Sequence, residues 1–182
     1  MNRRLLVLLG ICAIVLVGAG IGAALTTTAG ESPSPLSEVT GGPAPRFELQ
    51  ALMDPAREVT LHSLEGKGIV LNFWQSSCIP CRTEMPLLQS VYEHVNGRVR
   101  FVGVDTTDQR APAIAFVRMV HVTYLTLFDP DGVAATAYGL YGTPTTVFIS
   151  ADGKMLGRHI GQMNSKTLAA AMKQAFGPGV ST

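Results

Sequence analysis

An apolar run that stops abruptly at a pair of cysteines limits what this chain can become. The stretch reads Gly68-Ile69-Val70-Leu71-Asn72-Phe73-Trp74-Gln75-Ser76-Ser77-Cys78-Ile79-Pro80-Cys81, and β-branched or aromatic types dominate it from Ile69 to Trp74. That composition suits a strand buried on both faces of a sheet. From Cys78 onward the period changes. Met85, Leu88, Val91 and Tyr92 recur at three- and four-residue steps with Glu84, Gln89 and Glu93 between them, which predicts a helix over Ile79–Val95. Cys78 then stands at the helix N-terminus, where Pro80 is tolerated because the first helical N–H groups have no internal partner.

Those unpaired N–H groups and the helix dipole favour negative charge, so a thiol at Cys78 ionises more easily than a free one. The thiolate is the nucleophilic form. Cys81 follows about one helical turn inward, within disulfide reach and less exposed. This asymmetry separates the roles: Cys78 attacks a partner's disulfide and Cys81 resolves the mixed disulfide. Two blander uses of a C-x-x-C stay open on the motif alone, half of a zinc site and a purely structural disulfide. A closed zinc site needs four ligands. The chain has no second C-x-x-C, and His62, His94, His121 and His159 lie far apart without ligand-like spacing.

The segment Phe73-Trp74-Gln75-Ser76-Ser77-Cys78-Ile79-Pro80-Cys81-Arg82-Thr83-Glu84-Met85-Pro86 resembles the active-site segment of the thioredoxin superfamily, in its membrane-anchored, extracytoplasmic TlpA/ResA-like branch. The resemblance runs from about Pro43 to Phe176. It implies an α/β, thioredoxin-like fold: a central mixed sheet flanked by helices, with an N-terminal β-hairpin and an extra αβ insertion, preceded by one transmembrane helix. It also implies that Pro144 is cis, that Thr143 before it offers backbone groups to an extended substrate, and that Glu84 serves the site as a carboxylate. Trp74 and Pro80 are expected as support beneath and beside the cysteines. Glu84 lies on the helical face of Cys81, about 5 to 6 Å away between Cβ atoms, where it could take the proton from Cys81 as a general base.

Read in order, the chain divides at 27, 43 and 176. Met1-Asn2-Arg3-Arg4 precedes an uncharged apolar stretch from Leu5 to Leu25, and about 20 such residues cross a bilayer as a helix. We read 1–27 as a cytoplasmic tip and membrane anchor, with a signal peptide cleaved near Ala29 as the rival. Arg3 and Arg4 would stay cytoplasmic, which puts the rest of the chain outside. Cys12, inside the apolar run, is read as a membrane residue, since the bulky Ile11 before it does not suit lipoprotein processing. Residues 28–43 are rich in Thr, Ser, Pro and Gly and are expected as a flexible linker. The thioredoxin-like domain spans 44–176, and 177–182 is expected as a disordered tail.

Within the domain, Glu58–Leu64 alternates like a half-exposed strand. Further strands are expected at Arg98–Val104, Tyr124–Phe128, Val147–Ile149 and Met155–Ile160. Asp105–Asp108 should cap a helix from Ala111 to Val120, Val133–Tyr138 should form a short helix, and Asn164–Phe176 a final one. Pro86 should kink the active-site helix, and Asp152-Gly153 should make a two-residue hairpin turn. His62 and His121 carry no chemistry in this reading.

Two departures from plain thioredoxin bear on function. Asn72 stands where thioredoxin has a buried aspartate, which makes Glu84 the proton acceptor to test. Ser77 replaces a tryptophan before the first cysteine. The dipeptide Ile79-Pro80 carries no charge, which weakens the case for a strong oxidant, since such proteins rely on a stabilised reduced thiolate. The expected activity is therefore an extracytoplasmic thiol-disulfide oxidoreductase acting as a protein-disulfide reductase, with apocytochrome c as a client by analogy and a membrane redox donor upstream. The alternatives are a disulfide donor for secreted proteins and a non-catalytic copper-binding or chaperone module. Related copper carriers space their cysteines wider and add a histidine. With a net charge of +1 there is no basic excess for nucleic acid. No metal or other cofactor is expected.

Overall fold

Strand β3, Ile69–Trp74, is buried at every position, and the two sides of it feed two cores. Ile69, Leu71 and Phe73 pack with Phe47, Val104, Leu127, Tyr138 and Val147 on one face. Val70 and Trp74 pack with Met85, Leu88, Phe116 and Leu168 on the other. A strand covered on both faces has no use for polar alternation, which is why it reads as one apolar run. The computed structural model describes residues 34–37 and 41–180.

The other strands are β1 (Glu48–Ala51), β2 (Glu58–Thr60), β4 (Arg100–Thr106), β5 (Leu125–Asp129), β6 (Thr145–Ile149) and β7 (Met155–Ile160), and the sheet order is β2-β1-β5-β4-β3-β6-β7. β3, β4 and β5 are parallel; β6, β7, β1 and β2 join antiparallel. The parallel crossovers carry helices α1 (Ile79–Val95) and α2 (Arg110–Met119), followed by α3 (Val133–Ala137) and α4 (Ser165–Phe176). This is the expected mixed sheet flanked by helices, with the N-terminal hairpin β1–β2 and the inserted pair α2–β5. The α1 bounds match the sequence periodicity, and the helix is continuous through Pro86. Asn164 caps α4 by accepting from Thr167 N.

Several expectations are corrected. The alternating segment after Glu58 is a strand only to Thr60, and His62–Leu64 turns as a 3-10 helix with Leu64 tucked inward. Helix α2 begins from Gln109, which makes no side-chain cap; Asp108 is turned elsewhere. The β6–β7 turn is longer than two residues: Ser150 N donates to Lys154 O across Ala151–Gly153. Gly153 takes φ 77°, as three-residue hairpin loops require. The stretch after α4, expected as disordered, includes a 3-10 turn at Pro178–Val180, where the Gly179 carbonyl accepts from Arg98 Nη1.

The expected linker also holds structure. Leu36 is buried in the core beside α4, and Ser37 and Pro43 bridge to Arg158 and Lys154 along β7. One buried leucine is enough to seat this short strap, although the surrounding composition is that of a tether. Among the described residues no helix is long and apolar enough to cross a membrane; the expected span at 5–25, like Ala29 and Cys12, lies outside them.

Gly103, in β4, lets the sheet close under the site. A Cβ there would stand 2.8 Å from Trp74 Nε1 and 3.2 Å from Thr126 Cγ2. Trp74 is fully buried and stacks on Phe116 at 5.1 Å, so it has nowhere to retreat. Gly103→Ala should destabilise the domain by about 1 to 3 kcal/mol, the usual cost of overpacking. Urea denaturation reads this directly, and an unchanged midpoint would contradict the packing described.

Candidate active site

The site is the corner between β3 and α1. Cys78 is the N-cap of α1, held in place by its own N–H bonding to Gln75 O at 3.1 Å. Its sulfur accepts from Cys81 N at 3.2 Å, so one of the orphan N–H groups of the helix start points at Sγ. Cys78 and Cys81 are bonded as a disulfide, with Cα atoms 5.3 Å apart. Cys78 keeps 8% of its surface and Cys81 none, so an incoming thiol or disulfide can reach only the first sulfur. Beside it Ile79 is 77% exposed, an apolar side chain left in solvent at the mouth of the site.

Beneath the disulfide lies a closed polar cluster. Asn72 sits on the α1 face of β3 and is buried; its Nδ2 donates to Glu84 Oε2 at 3.0 Å and to Thr146 Oγ1 at 2.9 Å. Glu84 Oε1 accepts from Met163 N at 2.8 Å, and Glu84 is itself fully buried. Burial raises its pKa from 4.5 to about 7, against the opposing pull of the hydrogen bonds from Met163 and Asn72. A carboxyl with that affinity can hold or release a proton near neutrality. The contacts Glu84 makes are to Asn72 and Met163 rather than to sulfur, as expected while both sulfurs are bonded and neither carries a proton to share.

The corner is tied to the two neighbouring loops. Ser76 N donates to Asp108 Oδ2 at 2.6 Å, and Gln75 Nε2 to Thr107 Oγ1 at 2.5 Å. Thr143 Oγ1 reaches Gln75 Oε1 at 3.4 Å. The Thr143–Pro144 peptide is cis, and the pairing of Phe73 with Thr145 brings Pro144 level with Trp74, where β3 runs out towards the cysteines. A groove of about 340 Å³ opens alongside, lined by Gln75, Thr107, Tyr141 and Thr143 among others, and Tyr141 is 94% exposed on its rim.

The structure thus gathers Cys78, Cys81 and Glu84 on the first turns of α1 and sets Thr143 and Pro144 on the adjoining loop. Trp74 is core under the corner, and Pro80 lies in the first turn of the helix. Sequence reasoning missed Asp108, Gln75, Thr146 and Met163. Thr146 is one of two threonines, with Thr145, at the start of a buried strand that is otherwise apolar, and could have been flagged as Asn72 was. Met163 acts through its backbone and leaves no trace in side-chain chemistry.

A model of the AhpC/TSA family matches residues 40–157. The chain belongs to the AhpC/TSA family. Relatives of this AhpC/TSA protein include the thiol:disulfide interchange protein DsbE of Escherichia coli (strain K12), 30% identical over 95% of this chain and 94% of that one. DsbE of Pseudomonas aeruginosa is 34% identical over 71% of each. Among solved structures, a secreted Mycobacterium tuberculosis disulfide oxidoreductase homologous to Escherichia coli DsbE is 31% identical with TM-score 0.60, covering 67% of this chain and 90% of that one. StoA from Bacillus subtilis is 25% identical with TM-score 0.58, covering 70% and 96%. The resemblance to the TlpA/ResA-like branch of the thioredoxin superfamily therefore stands. Together with the bonded Cys78–Cys81 pair, it makes this AhpC/TSA protein a thiol-disulfide oxidoreductase.

Proposed function

We propose that the protein reduces disulfides of extracytoplasmic client proteins, held at the membrane by its N-terminal apolar segment. The observation that carries this reading is the Cys81 N–H aimed at Cys78 Sγ, with Cys81 sealed behind it. In the reduced protein the Cys78 thiolate, supported by the helix start, attacks one sulfur of a client disulfide and expels the other as a thiolate. Cys81 then gives its proton to Glu84 and attacks Cys78 Sγ. The client leaves with both sulfurs reduced, and the Cys78–Cys81 disulfide is formed. Thr143, ahead of the cis Pro144, offers its backbone to an extended client segment by strand addition.

The uncharged Ile79-Pro80 dipeptide favours the reducing direction, because nothing in it stabilises the reduced thiolate as strong oxidants require. A reductase on the extracytoplasmic side needs electrons from a membrane redox donor, since that compartment is oxidising. Apocytochrome c fits as a client, its C-x-x-C-H having to be reduced before haem attaches.

Cys81→Ser tests the reading. With Cys78 intact and the resolving thiol gone, clients should remain covalently attached and be released by dithiothreitol. Absence of any mixed disulfide in cells making this variant would remove the proposal. The direction is read from the reduction potential of the wild type: a value near the −270 mV or so of thioredoxin supports the reductase, and one near about −120 mV supports a disulfide donor.

A further inference from the structure

The loop that delivers Cys78 rests on a second acidic arrangement, which the exchange steps above do not use. Asp105 in β4 is fully buried and lies level with Trp74 across the ladder. Neither of its oxygens receives a hydrogen bond from an N–H or a hydroxyl. The carboxyl of Asp108 faces it. Two carboxyl groups facing each other away from water do not both stay charged, and a buried one with no donor is the one that keeps a proton.

The surroundings decide which one does. Three charged groups face Asp105: Asp108 from the loop after β4, Asp129 from the end of β5 and Arg110 from the start of α2. Asp129 is occupied by the Thr106 hydroxyl and the N–H groups of Ala134 and Ala135. Arg110 spends its donors on the carbonyls of Ala51 and Leu52 and on Gln50. Asp108 accepts two N–H bonds, from Ser76 and Gln109, each at 2.6 Å, and such bonds favour its anion. Burial first, then the charge of Asp108, raises Asp105 to about 8. Asp108 sits below the usual carboxylate range, burial opposing but outweighed by its hydrogen bonds, those from Ser76 foremost. The proton belongs to Asp105.

We propose that Asp105 and Asp108 form an acid–carboxylate pair that positions Ser76 and, through it, the loop carrying Cys78, and that loss of the shared proton to solvent sets a second negative charge on the pair under that loop. Asp105 is thus a positioning residue for the exchange reaction. The inference rests on Cys78 being the attacking sulfur, as read above.

The test is the pH profile of Cys78 carboxymethylation in the reduced full-length protein, with iodoacetate as the probe and peptide mass spectrometry to isolate Cys78. An added negative charge repels this anionic reagent. In the wild type the rate should climb as Cys78 ionises and then fall, on the order of threefold, through an inflection near pH 8. Asp105→Asn keeps a donor towards Asp108 but cannot ionise, so its rate should climb and stay level. Asp108→Asn removes the charge that raises Asp105, so the fall should move to lower pH. Glu84, about a unit lower, is common to all three proteins and cancels in the comparison. An alkaline fall that survives in Asp105→Asn, or is missing from the wild type, overturns the proposal. Should Asp105→Asn fail to fold by near-ultraviolet circular dichroism, an unmoved inflection in Asp108→Asn overturns it instead. The profile reports on the thiol alone, so a wild type that reduces no protein disulfide would sink the functional reading while leaving this result readable.

Discussion

Cys78→Ser is expected to abolish disulfide exchange. Turnover of a protein disulfide should drop on the order of a thousandfold or more, because a serine hydroxyl stays protonated near neutrality and cannot attack sulfur. The fold should survive. Cys78 retains a little exposure at a helix cap, and a serine oxygen there can accept from the N–H of residue 81 as the sulfur does now. Turnover and the thermal midpoint are measured on the same sample. Loss of activity with a preserved melt is the expected outcome, and a variant that still reduces insulin at the wild-type rate would dismantle the assignment of Cys78. The contrast with Cys81→Ser is diagnostic: the first variant should capture nothing, and the second should capture clients and fail to release them.

Glu84→Gln should separate the two halves of the cycle. Attack by Cys78 does not involve the Glu84 carboxylate, so the first step should keep its rate. Resolution by Cys81, for which Glu84 is the proposed base, should slow by about a hundredfold or more, with the mixed disulfide accumulating in stopped-flow quench. In the wild type the resolving step should speed up as pH rises through about 7, where Glu84 becomes charged; in Glu84→Gln that rise should vanish. Stability moves the opposite way. Because the folded protein holds the Glu84 proton up to about pH 7 whereas the unfolded chain releases it near 4.5, the folded state binds more protons between those values. The stabilisation is complete below 4.5 and is lost as pH rises towards 7. The loss is roughly 3 kcal/mol, and the Glu84→Gln protein should not suffer it. A half-turn of the Asn72 amide lets Oδ1 accept from the introduced amide, using an oxygen that now has no partner. Denaturant midpoints of the two proteins at pH 5 and pH 8 decide this: equal slopes with pH would remove Glu84 as the titrating group.

What could be read from the chain was whatever repeats or stands out chemically. The α1 helix was legible to the residue because its apolar period runs unbroken from Met85 to Val95 and its start is marked by Pro80. β3 and β7 were legible for similar reasons. Resemblance, rather than pattern, supplied the cis peptide before Pro144. Asp105–Asp108 looked like a helix cap because acidic and hydroxyl residues before a helix usually are one. In the fold Asp108 bonds instead to Ser76, a residue brought there by the parallel pairing of β3 with β4. That bond joins residues far apart in the chain, and no local pattern encodes it. The strap was missed for a related reason: a single Leu36 in a polar stretch carries no periodicity, and its burial depends on a surface that exists only once β7 and α4 have packed.

That strap alters how the molecule meets its own kind. The outer margin of β7 is taken up by backbone from Ser37 and Pro43, and the opposite margin, β2, runs only from Glu58 to Thr60. Neither side offers a long bare template for another chain to copy, which is how soluble sheets avoid growing into filaments. For an enzyme that exchanges disulfides with protein thiols, sealing both flanks leaves the cysteine corner, and not the rim, as the place where another chain can engage.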